Sequence, residues 1–244
     1  IIEMIQIASL LHDDVIDDSL TRRGVSSINA IFGNKKAIMF GDILYSKAFK
    51  EMTQFDEKIV KMVANSVVNL SIGEMMDVDL SDNFNDNEDK YFKMIYLKTA
   101  SLIETCTYCA AILKGYDENK FAIYGKNLGI AFQIVDDILD ITQDEKILGK
   151  PNFNDFKEGK VTLPYLKLYQ KLHDNDKNYL KSLYKKELNS DELNWIKENM
   201  KKYNVVDECY EVVNMIVNEA LETIKEYKNS ILEEIVLKMT KRDY

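Results

Sequence analysis

Two short acidic clusters are the residues of this sequence whose types and spacing could perform chemistry. Asp13-Asp14-Val15-Ile16-Asp17 recurs as Asp136-Asp137-Ile138-Leu139-Asp140, with carboxylates at positions i, i+1 and i+4 in both. On a helix, at about 100° per residue, positions i and i+4 lie about 40° apart and i+1 about 60° beyond i+4, so the three carboxylates share one side. Each cluster therefore predicts a carboxylate claw for a cation.

Both clusters are embedded in apolar sequence, which argues against the ordinary interpretation as a solvated acidic helix face. Two carboxylates about 6 Å apart at an effective dielectric constant of about 20 repel each other by roughly 3 kcal/mol. A half-buried triplet therefore needs a neutralising partner, and an all-oxygen ligand set favours Mg²⁺, with water and phosphate oxygens completing its shell. Two facing claws would hold more than one ion, enough to grip a diphosphate.

Basic residues stand at a few selected places near these clusters. Arg22 and Arg23 follow the first cluster by one to two helical turns, and Lys98 lies in an otherwise apolar helical stretch. Lys150 and Lys160 flank a loop that contains Gly and Pro. Each of them alone is typical of a surface charge. Together with two metal claws they could bind two anionic groups through arginine forks and lysine point charges, which favours chemistry in which diphosphate departs.

The helices that must position these residues are indicated by composition and periodicity. The 244 residues include only 2 Pro and 9 Gly, too few for the many turns that an all-β or an α/β fold of this length requires. Apolar periodicity predicts helices over 1–11, 34–55, 57–80, 90–114, 118–142, 162–172, 175–187, 190–203 and 205–240, the last broken near 227–230. Segments 81–89 and 143–163 are expected to be loops. With no linker, the sequence predicts an all-α fold in a single domain over residues 1–244.

Composition also argues against several classes of protein. The sequence contains no run of 18 apolar residues, so it predicts no membrane-spanning helix. The formal net charge of -9 disfavours binding of nucleic acid through the overall electrostatic field of the protein. Cys106, Cys109 and Cys209, in a chain with 2 His, make neither a disulfide framework nor a zinc site. A reducing intracellular compartment is expected, either the cytoplasm or an organelle of the mitochondrial or plastid type.

The acidic clusters and the segments between them resemble the trans-isoprenyl diphosphate synthases, also called polyprenyl synthetases. The matching blocks come in the same order as in the family, at residues 10–18, 22–24, 41–42, 73–74, 98–99, 132–140, 148–150 and 158–164. Arg242 resembles a residue near the C-terminus of family members. A single Asp-Asp-x-x-Asp motif is shared with terpene cyclases, whereas this joint match is specific. The resemblance implies an all-α bundle of the isoprenoid-synthase type, with both Asp motifs at the mouth of a central cavity.

The reaction that the resemblance implies is head-to-tail addition of isopentenyl diphosphate to an allylic diphosphate. The implied Mg²⁺ ligands are Asp13, Asp14, Asp17, Asp136, Asp137 and Asp140, with three ions when diphosphate is bound. The implied substrate-binding residues are Arg22, Lys98 and Lys160 for the allylic diphosphate, and Arg23 and Gln6 for isopentenyl diphosphate. The implied catalytic residues, which would face the reacting carbons or the leaving group, are Lys98, Thr99 and Gln133. Metals and cations would stabilise the leaving diphosphate as an allylic cation develops, so no nucleophilic side chain is required.

The chain departs from the family's pattern at its beginning. Family members have helices before the first Asp motif that carry a Gly-Lys-Arg type motif for isopentenyl diphosphate, and this sequence begins after them. We therefore expect the polyprenyl synthetase domain to be N-terminally incomplete. Gln6 stands where many members have a His, and it can still donate a hydrogen bond.

Small residues before the first Asp motif bear on product length. Ala8 and Ser9 precede Asp13 by about one helical turn, and Ile5 forms the next layer. In the family, large aromatic residues at these places block the cavity, so small ones predict a medium or long product, heptaprenyl to nonaprenyl and octaprenyl-like, of the kind used in quinones. The alternative is that Ala8 and Ser9 simply pack against a neighbouring helix.

Two other functional interpretations compete with a chain-elongating synthase. A terpene cyclase would carry Asn, Ser and Glu in its second metal motif, whereas here that motif repeats the first. A non-catalytic regulatory subunit of a heteromeric synthase would often have lost an Asp motif, and both are intact. The resemblance also implies a homodimer, for which the sequence indicates no interface.

Overall fold

The computed structural model describes residues 1–22, 24–142 and 153–240, which form helices almost throughout. Up to residue 142 the helices are α1 (Ile2–Ile16), α2 (Ile28–Phe32), α3 (Asn34–Met52), α4 (Glu57–Ser81), α5 (Glu88–Ile95), α6 (Ser101–Lys114) and α7 (Glu118–Thr142). From residue 153 they are α8 (Asn154–Glu158), α9 (Leu163–Lys171), α10 (Asp174–Leu183), α11 (Ser190–Lys202), α12 (Val205–Ile224) and α13 (Ser230–Thr240). The all-α prediction is confirmed.

The helices predicted from periodicity agree with the structure within a few residues, and one of them contains an irregular turn. Two helices of a single turn were missed: α2, and α8 within the segment 143–163 that was expected to be a loop. The predicted helix over 90–114 is interrupted by a π-helical turn, Tyr96–Ala100, between α5 and α6. Such a turn inserts a residue without disturbing the apolar spacing enough to be seen in sequence. The expected break near 227–230 is present, since a 3₁₀ turn, Lys225–Tyr227, separates α12 from α13.

A short β-ribbon follows α1 and was not predicted. Strand β1 (Thr21–Arg22) pairs antiparallel with β2 (Val25–Ser26), and Gly24 in the connecting turn has φ +77°. That left-handed conformation is readily adopted by glycine and rarely by other residues. The ribbon turns the chain back on itself directly after the first Asp motif, so that Arg22 faces the residues that precede it.

Helix α7 is the centre of the larger core. It packs against α6 and α12, and buried residues occur around most of its circumference, as expected for a helix enclosed by others. A second core cluster lies among α1, α3, α4 and α6 and includes Ile5, Met52, Val63 and Leu102. Among the described residues, no helix is both long and apolar enough to cross a membrane.

Candidate active site

The first Asp motif lies at the C-terminal end of α1, where Arg22 of the ribbon binds it. The Nε of Arg22 donates to Oδ1 of Asp14 at 2.7 Å, and its Nη2 donates to Oδ2 of Asp13 at 2.9 Å. The guanidinium thus bridges two adjacent carboxylates as a fork, which a single ammonium group could not do. Asp14 is 4% exposed, whereas Asp17 at the end of the helix is exposed.

Lys98 brings the π turn against the first Asp motif and against α4. Its Nζ lies 3.3 Å from Oδ1 of Asp13, 3.0 Å from Oε2 of Glu74 and 2.7 Å from Oδ2 of Asp77. These carboxylates come from α1 and from two positions three residues apart on α4, so they converge on the lysine from two helices. One cation therefore ties together three segments that are distant in sequence.

Two glycines allow the π turn to lie this close to its neighbours. A β-carbon at Gly73 of α4 would lie 2.4 Å from the backbone nitrogen of Lys98, and one at Gly129 of α7 would lie 2.5 Å from Cα of Ala100. Real β-carbons do not approach a backbone so closely, so both positions require glycine. The turn that carries Lys98 and Thr99 is consequently held between α4 and α7.

The segment around α8 connects the two Asp motifs. The Nζ of Lys160 lies 3.3 Å from Oδ2 of Asp17 and 3.0 Å from Oε2 of Glu158. The backbone N–H of Asp155 donates to Oδ2 of Asp140 at 3.3 Å, and the N–H of Lys160 donates to the carbonyl of Asp155 at 2.7 Å. The segment is thus bound to the second motif through its backbone and to the first through a lysine.

The second Asp motif, on α7, divides its carboxylates between surface and core. Asp136 is exposed, whereas Asp137 is 4% exposed and accepts hydrogen bonds from the Tyr91 hydroxyl at 2.5 Å and from Nε2 of Gln133 at 2.9 Å. Oγ1 of Thr99 donates to Oε1 of Gln133 at 2.9 Å. In both motifs the i+1 carboxylate is turned inward, and in the second motif Asp140 at i+4 is buried as well, at 2% exposed.

Charges within the cluster shift one another's pKa. Burial acts to raise the pKa of Asp13, but Lys98 and Arg22 outweigh it and hold that pKa below the ordinary value. Burial raises the pKa of Glu74 to about 7, against the opposing effect of Lys98. Burial acts to lower the pKa of Lys98, whereas the carboxylates, Asp77 foremost, raise it above its ordinary value. The lysine therefore remains charged, and Glu74 titrates near neutral pH.

The donor set is suited to a divalent metal bound together with diphosphate. Among the described residues, no three His, Cys, Asp or Glu side chains converge closely enough to hold an ion by themselves. Within the part of the chain that the structure describes, the ion pairs of this cluster join the carboxylates Asp13, Asp14, Asp17, Glu74 and Asp77 to the cations Arg22, Lys98 and Lys160, so carboxylates outnumber cations. Hard oxygen ligands with uncompensated charge fit Mg²⁺, which takes the rest of its shell from water and phosphate. The predicted Mg²⁺ ligands and the number of ions remain predictions.

The remaining predicted site residues lie either on α1 or outside the residues that the structure describes. Ile5 and Ala8 have no exposed surface, and Oγ of the half-buried Ser9 donates to the carbonyl of Gln6 at 2.8 Å. Their roles in chain length and in substrate binding stay predictions. Arg23, Gly149, Lys150, Pro151 and Arg242 lie outside the described residues.

Three residues of the site received no role from the sequence. Glu74 and Asp77 anchor Lys98, and Tyr91 binds Asp137 from the core. Glu74 did belong to a matching block, and the carboxylate three residues later on a predicted helix was the available signal. Tyr91 carried no signal, because an aromatic residue in an apolar helix is ordinarily core.

Known proteins resemble this chain over nearly all of its length. The sequence pattern of the family described as polyprenyl synthetase matches residues 1–203. The crystal structure of octaprenyl pyrophosphate synthase from Helicobacter pylori has a TM-score of 0.94 at 47% identity, covering 99% of this chain and 79% of that one. Geranylgeranyl diphosphate synthase of Sulfolobus acidocaldarius is 35% identical over 237 residues, 92% of this chain and 72% of the relative. Octaprenyl diphosphate synthase of Escherichia coli is 40% identical over 170 residues, 68% of this chain and 53% of the relative.

The fold is all-α, and the candidate site brings Arg22, Lys98 and Lys160 into contact with the carboxylates of the first Asp motif. The chain belongs to the polyprenyl synthetase family, whose relatives named above are prenyl diphosphate synthases and therefore prenyltransferases. The resemblance to trans-isoprenyl diphosphate synthases inferred from the residues is confirmed. The chain spans 53% of the Escherichia coli relative and 72% of the Sulfolobus acidocaldarius relative.

Proposed function

We propose that this protein adds isopentenyl diphosphate head to tail to an allylic diphosphate, releases diphosphate and depends on Mg²⁺. The observation that carries the proposal is the position of Lys98, whose Nζ lies within 3.3 Å of Asp13 in the first Asp motif while the adjacent Thr99 bonds Gln133 beside the second. In the proposed reaction Lys98 supplies a cation for the leaving group, and Thr99 and Gln133 supply oxygen atoms for the developing carbocation. This is the arrangement that ionisation of an allylic diphosphate requires.

Each group in the proposed site has a distinct role. Arg22, Lys98 and Lys160 bind and orient the allylic diphosphate through charge-assisted hydrogen bonds. Asp13, Asp17 and Asp136 would hold Mg²⁺, which would supply charge that stabilises the departing diphosphate. Thr99 and Gln133 present oxygen atoms towards the carbons on which positive charge develops. The double bond of isopentenyl diphosphate then attacks the allylic cation, and the departed diphosphate takes up a proton from the carbon next to the new cationic centre, so that the product is again an allylic diphosphate.

We further propose a medium or long product, of heptaprenyl to nonaprenyl length. Support comes from the small residues Ala8 and Ser9 on α1 and from relatives named octaprenyl and solanesyl diphosphate synthase. The relative named geranylgeranyl diphosphate synthase shows that shorter products occur among similar sequences. Product length is therefore the quantity that the first experiment has to measure.

The protein is also proposed to act as a homodimer in a reducing compartment. Helix α4 exposes apolar residues at spacings of four and three, which form a stripe along one side: Val68, Ile72, Met75 and Val78. An exposed apolar stripe of this kind is typical of a protein interface, and an isologous dimer would bury it against its own copy. The three cysteines are free. Light scattering of the wild type and of Met75→Lys tests the dimer, and a wild-type monomer would contradict it.

The decisive experiment is incubation with labelled isopentenyl diphosphate and farnesyl or geranylgeranyl diphosphate, with and without Mg²⁺, followed by chromatography of the dephosphorylated products. We expect a Mg²⁺-dependent ladder of prenols that ends between heptaprenol and nonaprenol. The control is Asp13→Asn, which should abolish turnover. A silent wild type, also when supplied with additional N-terminal helices, would contradict the proposal and favour the regulatory-subunit alternative.

A further inference from the structure

A chain of hydrogen bonds leads from the core to the proposed reaction site. The Tyr91 hydroxyl donates to Oδ2 of Asp137, Nε2 of Gln133 donates to Oδ1 of Asp137, and Oγ1 of Thr99 donates to Oε1 of Gln133. The three distances are 2.5, 2.9 and 2.9 Å. Tyr91 lies on α5, Asp137 and Gln133 lie on α7, and Thr99 lies on the π turn. The hydrogen bonds therefore connect these three elements.

The two residues at the core end of this hydrogen-bond chain, Tyr91 and Asp137, are buried. Tyr91 is 1% exposed and Asp137 is 4% exposed, whereas Thr99 and Gln133 are half-buried. Each carboxylate oxygen of Asp137 accepts from a protein donor. Asp137 is thus directed at Gln133 and Tyr91, in contrast to the exposed Asp136 beside it.

The acceptor Asp137 and the donor Thr99 together decide which way the amide of Gln133 faces. A glutamine amide has an oxygen on one side and an NH₂ group on the other, of nearly the same shape, so neighbouring groups select the orientation. A carboxylate accepts hydrogen bonds and therefore attracts the NH₂ side. With Nε2 bound by Asp137, the carbonyl oxygen of Gln133 is turned to Thr99. Without that constraint the amide could rotate and present its NH₂ group, which would repel a developing carbocation.

We infer that Tyr91 and Asp137 are positioning residues that lock the amide of Gln133 with its oxygen, and not its nitrogen, towards the reacting carbons. The inference rests on the proposed function and deepens it, because the second aspartate of the motif acts through Gln133. Tyr91 holds the far side of the Asp137 carboxylate. The predicted Mg²⁺ site and the positioning of Gln133 are thereby divided between neighbouring aspartates of one motif.

Tyr91→Phe tests the inference, because it removes one hydroxyl from the core end of the chain. We expect kcat to fall about tenfold, which corresponds to about 1.4 kcal/mol in the barrier. The KM of each substrate and the Mg²⁺ concentration at half-maximal rate should change by less than about twofold, since a positioning residue touches neither. The matched control is Tyr124→Phe. Tyr124 is 1% exposed and its hydroxyl donates to the carbonyl of Leu232 at 2.9 Å, so this variant should lose stability but keep kcat.

Asp137→Asn is the second variant, in case Tyr91→Phe folds poorly. The asparagine can present its own NH₂ group to Gln133, which would reverse the amide. We expect the same loss in kcat with unchanged Mg²⁺ dependence. A changed Mg²⁺ dependence would instead make Asp137 a metal ligand and overturn the inference.

A measurement that needs no turnover separates this inference from the proposed function. The sequence has five glutamines, Gln6, Gln54, Gln133, Gln143 and Gln170, so labelling with ¹⁵N-glutamine gives five NH₂ signals, and the one lost in Gln133→Asn is assigned. We expect this signal to exchange slowly with water in the wild type and in Tyr124→Phe, and at least tenfold faster in Tyr91→Phe. Equal exchange in all three proteins, or a wild-type kcat for Tyr91→Phe in an active enzyme, would overturn the inference.

Discussion

Gly73 of α4 lies directly against the backbone of Lys98, so closely that a β-carbon at Gly73 would be 2.4 Å from the Lys98 nitrogen. The position of the lysine that contacts Asp13 is therefore determined by the absence of a side chain on another helix. Next along α4, Glu74 contributes a carboxylate to the same lysine. Helix packing and electrostatics at this point of the site thus depend on two consecutive residues.

Gly73→Ala is expected to push the π turn away from α4. The inserted methyl group would meet backbone atoms of Leu97 and Lys98, which cannot move aside as a flexible side chain can. Overpacking of this kind lowers the free energy of unfolding by about 1–3 kcal/mol. The KM for the allylic diphosphate should rise as Lys98 is displaced. Denaturation and steady-state kinetics measure both quantities, with the exposed Ser71→Ala on the same helix as control. A variant with wild-type stability and KM would contradict this account.

Mg²⁺ together with inorganic diphosphate is expected to stabilise the folded protein through the first Asp motif. Asp13 lies in a cluster where carboxylates outnumber the cations that contact them, and a ligand that binds the folded state alone raises its stability. At a ligand concentration about 100 times the dissociation constant, the gain is about 2.7 kcal/mol. Thermal denaturation should show it for the wild type and for the exposed control Asp79→Asn, and not for Asp13→Asn. An equal gain in stability for Asp13→Asn would mean that the metal does not bind at Asp13.

Glu74 is expected to make the metal-free protein less stable as the pH rises from about 4.5 to about 7. Its pKa is raised by burial from the ordinary 4.5 to about 7, so the folded state binds the proton more tightly than the unfolded state does. The stabilising contribution is complete below pH 4.5 and is lost as the pH passes 7, on the order of 2 kcal/mol. Glu74→Gln should remove this dependence. Urea denaturation from pH 4.5 to 8 measures it, and parallel curves for the two proteins would refute the assignment.

Ala8→Phe is expected to shorten the product. Ala8 has no exposed surface and lies five residues before Asp13, at a position where the resemblance predicts that a large side chain shortens the product. A phenyl ring there would block the growing chain, at a cost in stability of about 1–3 kcal/mol. Ile7→Phe is the control, because Ile7 is 42% exposed and lies about 100° around the helix from Ala8. Chromatography of the prenols decides the matter, and an unchanged product from a folded Ala8→Phe would mean that Ala8 only packs.

Much of the local structure could be predicted from the sequence. Apolar periodicity located the long helices within a few residues, because burial of one helix face imposes a 3.6-residue period wherever a helix packs against a core. The π turn at Tyr96–Ala100 escaped that reasoning. Its one extra residue alters the register of α5 and α6 too little to show in the pattern.

The sequence by itself determined which residues could do chemistry, namely two Asp triplets and a few basic side chains, because spacing along one helix decides which carboxylates lie near each other. Only the tertiary structure decided which of them meet. Lys98 contacts α1 and α4, and Lys160 contacts Asp17 at the end of α1, 143 residues earlier in the sequence. Asp137 binds Tyr91 of α5. These partners are distant in sequence, and their meeting depends on how closely helices approach, which glycines and core side chains set through packing.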